Sequence, residues 1–424
     1  MAGPIPHNPN ATGGPDRVTV YAWLVFALSF GLLISDYMAR QVLNAVFPLL
    51  KAEWSLSDGQ LGLLSGVVAI MVGLLTFPLS LAADRWGRVR SLTLMAILWS
   101  LATLLCAVAQ SYETMLIGRA LVGIGEAAYG SVGIAVVISV FPARLRATLS
   151  AAFMAGGLFG QVLGVAIGGA VAASHGWRAA FAAIGIAGLV LGMLYPAVVR
   201  ESRIRALAGL ATGGSNPAPT PLRTLVGNRS VRLAYVASGL QLFAAGALPA
   251  WLPSYFNRYY SLPVDKAGSL AAVLLLLCGF GMILCGSLSD RISRNRPEAK
   301  IALGIGYSLG TAVSLTLAML LPPGTGQLVL LGIAMFLVAG TVGPVGAMVA
   351  NLTPLAIHGS AFATLTLANN LIGLAPGPIL TGRIADGIGL AEAFRLLPIP
   401  CLLAALTFAA MRRSYLSDLR VPAS

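Results

Sequence analysis

Charge is what this chain lacks. Of 424 residues only 10% are Asp, Glu, Lys or Arg, against roughly a quarter in a soluble domain. So few charges cannot cover a water-soluble globule of this length, which excludes an ordinary cytosolic enzyme and a disordered chain. Histidine and cysteine are scarce too. His7, His175 and His358 are too scattered to share a metal, and Cys106, Cys278, Cys285 and Cys401 sit inside apolar runs without CxxC or Cys/His spacing. The cysteines read as small buried hydrophobes, and neither metal nor cofactor is expected. No Walker GxxxxGK[ST] or HExxH pattern occurs, and GYSLG at 306–310 lies inside an apolar run rather than at a strand-to-helix elbow, so no ATP-driven engine and no hydrolytic centre is expected. The stretch GIGEAAYG begins like a nucleotide fingerprint but lies in a hydrophobic run without a strand–turn–helix setting, which removes that reading.

What is present is oil. Apolar residues make up 57% of the chain. A membrane-crossing helix needs about 20 of them in a row. Twelve such runs lie near 20–43, 60–82, 91–109, 114–138, 147–171, 179–198, 232–254, 268–288, 300–320, 327–348, 360–383 and 392–411. The net charge of +13 then has a simple home. Counting tails and alternate loops, 19 of the 27 Lys and Arg fall on one side, six on the other and two within spans, while the acids divide evenly. The basic excess therefore marks the cytoplasmic side, puts both termini there and fits an even span count. Loop cations of this kind replace nucleic acid as the explanation of the charge.

The chain divides as a cytoplasmic tail at 1–19, an N-terminal six-helix bundle at 20–198, a cytoplasmic linker at 199–231, a C-terminal bundle at 232–411 and a tail at 412–424. The first tail is rich in Pro, Gly and Asn and reads as disordered, with no cleavable signal peptide. The linker begins with RESRIRALAGLA and thins into TGGSNPAPTP. A repeat supports the division: DRWGRVR at 84–90 and DRISRNR at 290–296 each follow the second span of a half, 206 residues apart. Repeated halves are characteristic of secondary transporters, with the solute held between them.

The twelve spans, the central linker and the loop LAADRWGRVR resemble the major facilitator superfamily over residues 20–411. SDYMARQVL, EWSLSDGQLGLLSG, GRALVGIGEAAYG, GWRAAF and NNLIGLAPGPILTGRIAD look more narrowly like its spinster-related branch. The resemblance implies an all-α membrane protein of two pseudo-symmetric six-helix bundles, monomeric in an inner membrane, transporting by alternating access rather than catalysing a reaction. It further implies proton-linked movement of an amphipathic or organic anion such as a lysolipid. Relatives of that branch often carry Asn-Tyr-x-Asp-Arg at the end of span 1. Here the segment is Asp36-Tyr37-Met38-Ala39-Arg40, with Ala39 in the place of the usual acid, so the proton role passes to Asp36.

Only four charged residues fall within spans away from their ends: Asp36, Arg40, Arg119 and Glu126. Each costs roughly 2.5–3.5 kcal/mol at a helix centre unless it finds a partner or water, and such residues are functional by default. Asp36 with Arg40 (i,i+4) and Arg119 with Glu126 (i,i+7) share helical faces and sum to zero. Desolvation tightens a carboxylate's hold on its proton and a nearby guanidinium loosens it, so Glu126 and Asp36 are the proton-coupling candidates. Arg40 and Arg119 are counter-charges or anion anchors, the alternative being fixed pairs that staple spans 1 and 4.

Tyr37, Tyr129, Gln241, Asn369 and Asn370 are further candidates for solute contact. For Gln241, Asn369 and Asn370, interhelical hydrogen bonds are an equal reading. Asp84, Arg85, Gly87, Arg88, Asp290 and Arg291 make a candidate cytoplasmic gate, with charge-based topology as the bland alternative. Gly156, Gly160, Gly164 and Gly168 leave a smooth face on span 5, either a sliding surface between halves or a tight static contact. Trp251, Tyr255, Tyr259 and Tyr260 read as an interfacial aromatic belt more than as a gate. Within transport, the alternative to a lysolipid-like solute is uptake of a small carboxylic acid. Outside it, a membrane-embedded lipid-modifying enzyme lacks any hydrolytic pattern, and a passive channel would have no use for buried charge pairs.

Overall fold

The computed structural model describes residues 19–204, 227–294, 296, 298–354 and 357–420. Among them there are helices and no strands, as expected where no water is present to satisfy an open backbone. Eleven of the helical stretches are long and apolar enough to cross a membrane. In chain order the spans are 1 (Val20–Trp54), 2 (Asp58–Trp86), 3 (Arg88–Ala107), 4 (Tyr112–Glu126 with Tyr129–Ser139), 5 (Ala143–His175) and 6 (Trp177–Val198). The second half holds spans 7 (Arg229–Tyr259), 8 (Val264–Ser293), 9 (Ala299–Leu320) and 10 (Thr325–Val338 with Val342–Leu352). Span 11 comes in pieces, His358–Ala368, a π-helical turn Asn369–Leu374, and Pro376–Ile388; span 12 is Leu390–Leu396 with Pro398–Arg420. Span 11, broken by its π-helical turn, is the twelfth expected crossing and stands outside the count of eleven.

Three features of the sequence shape the halves. Gly87, Gly176 and Gly389 take positive φ at the tight corners 2–3, 5–6 and 11–12, where a side chain would be strained. Large apolar side chains such as Leu74, Phe77, Leu101, Phe280, Ile283 and Leu406 remain exposed, forming the surface offered to lipid. And the small residues of span 5 let it close on span 1 within the same half. A Cβ at Gly160 would stand 2.6 Å from the Ile34 carbonyl oxygen, and one at Gly164 would stand 2.9 Å from the Met38 backbone. This glycine stripe is thus a static intra-half contact and not a surface between halves.

Spans 4 and 10 are each interrupted at mid-length, after Glu126 and after Val338. By these breaks the counterpart of Glu126 falls beside Ala339 rather than at Gly332, where the 206-residue repeat alone would put it. The halves meet where span 2 packs on span 11, span 5 on span 8, and span 1 on span 7.

Candidate functional site

The halves are joined at the face opposite the basic loops. Arg258 of span 7 donates from Nη1 and Nη2 to the Asp58 carboxylate at 2.7 and 2.6 Å, and Lys51 donates to the same carboxylate at 2.6 Å. Asp386 of span 11 accepts the backbone N–H groups of Asp58 and Gly59 at 2.6 and 2.8 Å, capping the start of span 2. Beneath them Trp251 is fully buried, tilted against Phe47 at 5.1 Å between ring centres and donating its indole N–H to the Pro378 carbonyl at 3.1 Å. Tyr255 is buried too and bonds Gln327 at 3.2 Å. The aromatic cluster of span 7 is therefore, for its first two members, a plug between helices and not a lipid-facing belt. Among the described residues, the hydrogen bonds linking the halves all lie at this face.

Below the plug lies a cavity of about 350 Å³ between the halves. Its N-terminal wall carries the polar side chains, Tyr37, Arg40, Gln41 and Asn44 from span 1, Ser65 from span 2 and Gln161 from span 5, beside Ala69, Met154, Gly157 and Leu158. Positions 37, 40, 41 and 44 recur at three and four residues and so share one helical face. The C-terminal wall is apolar, with Leu242, Gly246, Leu275, Met282, Val342 and Leu374 among its residues.

Arg40 connects the cavity to the buried charges. Its Nε and Nη2 both donate to Glu126 Oε2, at 2.9 and 2.7 Å. The Arg40 side chain is 22% exposed and that of Glu126 is 0% exposed, so the arginine reaches the cavity and the carboxylate stands behind it. Asp36 is also buried, within electrostatic reach of both. Asp36 Oδ1 and Glu126 Oε1 are buried and accept no hydrogen bond in this arrangement.

This differs from the pairing that sequence spacing suggested. Two helical turns, roughly 10 Å, separate Arg119 from Glu126 along span 4, so Arg119 does not reach it. Its guanidinium is fully buried and donates to the carbonyls of Ala39 (2.8 Å), Arg40 (3.0 Å) and Leu64 (3.3 Å). Arg119 thus clamps spans 1, 2 and 4 and faces no solute.

The remaining candidates divide sharply. Tyr37 lines the cavity and lies under Arg40, 5.4 Å from the guanidinium carbon to the ring centre. Tyr129 does not line it; its hydroxyl donates to the Ser29 carbonyl at 2.8 Å inside the N-terminal half. Gln241 is buried and ties span 7 to spans 9 and 10 through Thr311 Oγ1 (3.2 Å) and the Val338 carbonyl (3.1 Å). Asn370 donates to the Thr366 carbonyl of its own span, and both it and Asn369 belong to the π-helical turn. None of these three lines the cavity.

At the basic face, the Asp84 side chain lies outside the described residues. Arg85, Asp290 and Arg291 are exposed. Among the described residues no ion pair joins Arg85, Asp290 and Arg291 to one another. The 2–3 corner is instead held by Glu201, whose two carboxylate oxygens accept the backbone N–H groups of Arg88 (3.2 Å) and Val89 (2.7 Å) at the start of span 3. A Cβ at Gly87 would lie 2.9 Å from the Glu201 carboxylate carbon.

Sequence reasoning missed Gln41, Asn44, Ser65 and Gln161 at the cavity, and Lys51, Asp58, Arg258, Asp386 and Glu201 at the two faces. The signal was partly there. Span 1 runs to Trp54, beyond the apolar run that ended at 43, and the facial period places Asn44 one turn after Arg40.

Two six-span halves around a cavity, closed at one end and holding a buried ion pair in one wall, define a multi-pass membrane transporter rather than an enzyme. The chain belongs to the Major Facilitator Superfamily, whose family model matches residues 29–375. It is 24% identical to the hexuronate transporter of Bacillus subtilis over 88% of this chain and 89% of that one. It is 27% identical to the sphingosine-1-phosphate transporter of Danio rerio over 68% of this chain and 61% of the relative. Within the superfamily it therefore stands near the spinster branch. In fold it is similar to a bacterial homolog of the human lysosomal transporter spinster, solved in an inward-facing and occupied conformation, at a TM-score of 0.84 and 20% identity, covering 96% of this chain and all of that one.

Proposed function

We propose that the protein couples protons to the movement of an organic anion by alternating access, in a bacterial inner membrane with both termini cytoplasmic. The observation that carries this reading is the Arg40–Glu126 pair, with the arginine in the cavity wall and the carboxylate in oil behind it. A solute carboxylate entering the cavity competes with Glu126 for Arg40. Once its counter-charge turns away, a carboxylate in a low-dielectric site takes up a proton, with Asp36 as the neighbouring acceptor. Anion and proton then load together, which makes the protein a symporter. Unloading reverses the exchange: the proton leaves, Glu126 recovers Arg40 and the solute is released. The Asp58–Arg258 link must break for the opposite face to open, and the loops around Asp84 and Asp290 would then close the cytoplasmic one.

Two solute classes fit this scheme. The cavity is near the small end of the roughly 300–1,000 Å³ of small-molecule sites, which favours a small carboxylic acid, as does the hexuronate-transporting relative. A lysolipid-like solute is the second reading. It is favoured by the apolar C-terminal wall and by the sphingosine-1-phosphate transporter among the relatives. The protein works as a monomer surrounded by membrane lipid.

The test is uptake into proteoliposomes under an imposed pH gradient, with a hexuronate and a lysophospholipid as trial solutes. Glu126→Gln is expected to abolish gradient-driven accumulation and to retain solute exchange. Full gradient-driven transport by this variant would remove Glu126 from the coupling step.

A further inference from the structure

The cavity holds a second polar device that the proton exchange does not use. Gln161, Gln41, Asn44 and Ser65 form a continuous hydrogen-bonded chain along its N-terminal wall. Gln41 Nε2 donates to Gln161 Oε1 at 3.3 Å, Asn44 Nδ2 to Gln41 Oε1 at 2.6 Å, and Ser65 Oγ to Asn44 Oδ1 at 3.1 Å. Three amides and one hydroxyl carry seven polar hydrogens. The three internal bonds engage three of them and leave four. The directions of amide bonds are assigned from the network, yet reversing the whole chain still leaves four donors, the Ser65 hydroxyl taking the place of one Gln161 N–H. Arg40 adds three N–H groups not engaged by Glu126.

The wall is therefore rich in donors, and the facing wall offers no polar side chain except Cys278. Water can satisfy these donors when the cavity is empty. A solute that displaces the water must bring its own acceptors or leave buried N–H groups unpaired, which is the strong form of discrimination. Acceptors are needed at two places. Arg40 and Asn44 are one helical turn apart, about 6 Å along span 1. A lone carboxylate at Arg40 cannot span that distance, and an alkyl or aromatic tail would cover the chain without bonding it.

Building on the transport reading above, we infer that Gln161, Gln41, Asn44 and Ser65 form an oxygen-reading subsite, and that the solute is a polyhydroxylated carboxylate. Its carboxylate meets Arg40, its hydroxyl oxygens meet the amide chain, and its C–H face meets the apolar wall. Gln161 and Asn44 set specificity; Arg40 sets charge.

Two six-carbon acids test this, gluconate with hydroxyls and hexanoate without. Binding to the detergent-solubilised full chain is read by thermal stabilisation over a concentration series, and gluconate uptake is read in proteoliposomes. Wild type is expected to bind gluconate at least tenfold more tightly than hexanoate. Gln161→Met, which removes both donors at similar size without adding charge, and Ser65→Ala are each expected to weaken gluconate about tenfold and leave hexanoate within twofold. Arg40→Lys should weaken both. Equal affinity for the two acids, parallel losses for both in Gln161→Met and Ser65→Ala, or binding of neither acid by protein that still melts cooperatively would overturn the subsite. If gluconate binds with this selectivity but a pH gradient fails to drive it, the subsite stands and the coupling scheme falls. Gradient-driven uptake of a plain acid without hydroxyl preference means the opposite: coupling stands and the subsite falls.

Discussion

Span 1 and span 7 hold matching places in the two halves and present opposite chemistry to the cavity. Shifted by the 206-residue repeat, Arg40 becomes Gly246 and Asp36 becomes Leu242, and both counterparts line the apolar wall. Gly246 has no room for a larger group, since a Cβ there would lie 2.9 Å from the Leu374 Cα. The fold repeats while the charge does not. One half thus holds the ionisable groups and the other supplies a smooth wall packed against span 11. An asymmetric cavity of this kind orients an amphipathic solute, polar edge to one half and apolar face to the other.

Four sets of substitutions probe that asymmetry, in falling order of effect. Arg40→Leu leaves Glu126 buried without a partner. It is expected to remove gradient-driven uptake and to cost about 3–5 kcal/mol in unfolding stability. The double variant Arg40→Leu/Glu126→Leu should recover most of that stability in thermal melts and none of the transport. Recovery of both would mean that the N-terminal charges are merely structural. Next, Gly246→Leu should abolish uptake by filling the smooth wall, with binding of the trial acids lost in parallel. Third, Asp58→Asn releases Arg258 and Lys51, so spin-label distances across the non-basic face should lengthen in a larger share of molecules. An unchanged distance distribution would show that the aromatic plug closes that face alone. Smallest is a pair of glycines. Gly160→Ala presses on the Ile34 carbonyl and should cost roughly 1–3 kcal/mol, whereas Gly306→Ala meets open space and should stay within about 0.5 kcal/mol.

Much of the architecture could be read from composition and periodicity, because a spanning helix announces itself by length alone. The two halves followed from Asp84 and Asp290, and the cost of placing charges in oil singled out the residues of spans 1 and 4 that the structure brings together. Their partners did not follow. Spacing within one helix paired Arg119 with Glu126, but the contact that forms crosses from span 1 to span 4, and no local pattern reports which helices adjoin. The same blindness hid Asp58, Arg258 and Asp386, which lie 328 residues apart at the extremes yet meet at one face. Uncharged cavity residues such as Gln161 were hidden for another reason: a single amide in an apolar run carries almost no signal until the structure shows it next to Gln41 and Asn44.

Arg119 carries one more implication. It grips the carbonyls of Ala39 and Arg40 themselves, so the main chain under the Arg40 guanidinium is anchored to span 4. Motion at that point is left to the side chain's own torsions. In the proposed exchange the arm would swing while its shoulder stays fixed, and the charge it carries would travel only a few ångströms. An electrical recording of solute loading should accordingly register a small, fast displacement, separate from the slower current of the rocking halves.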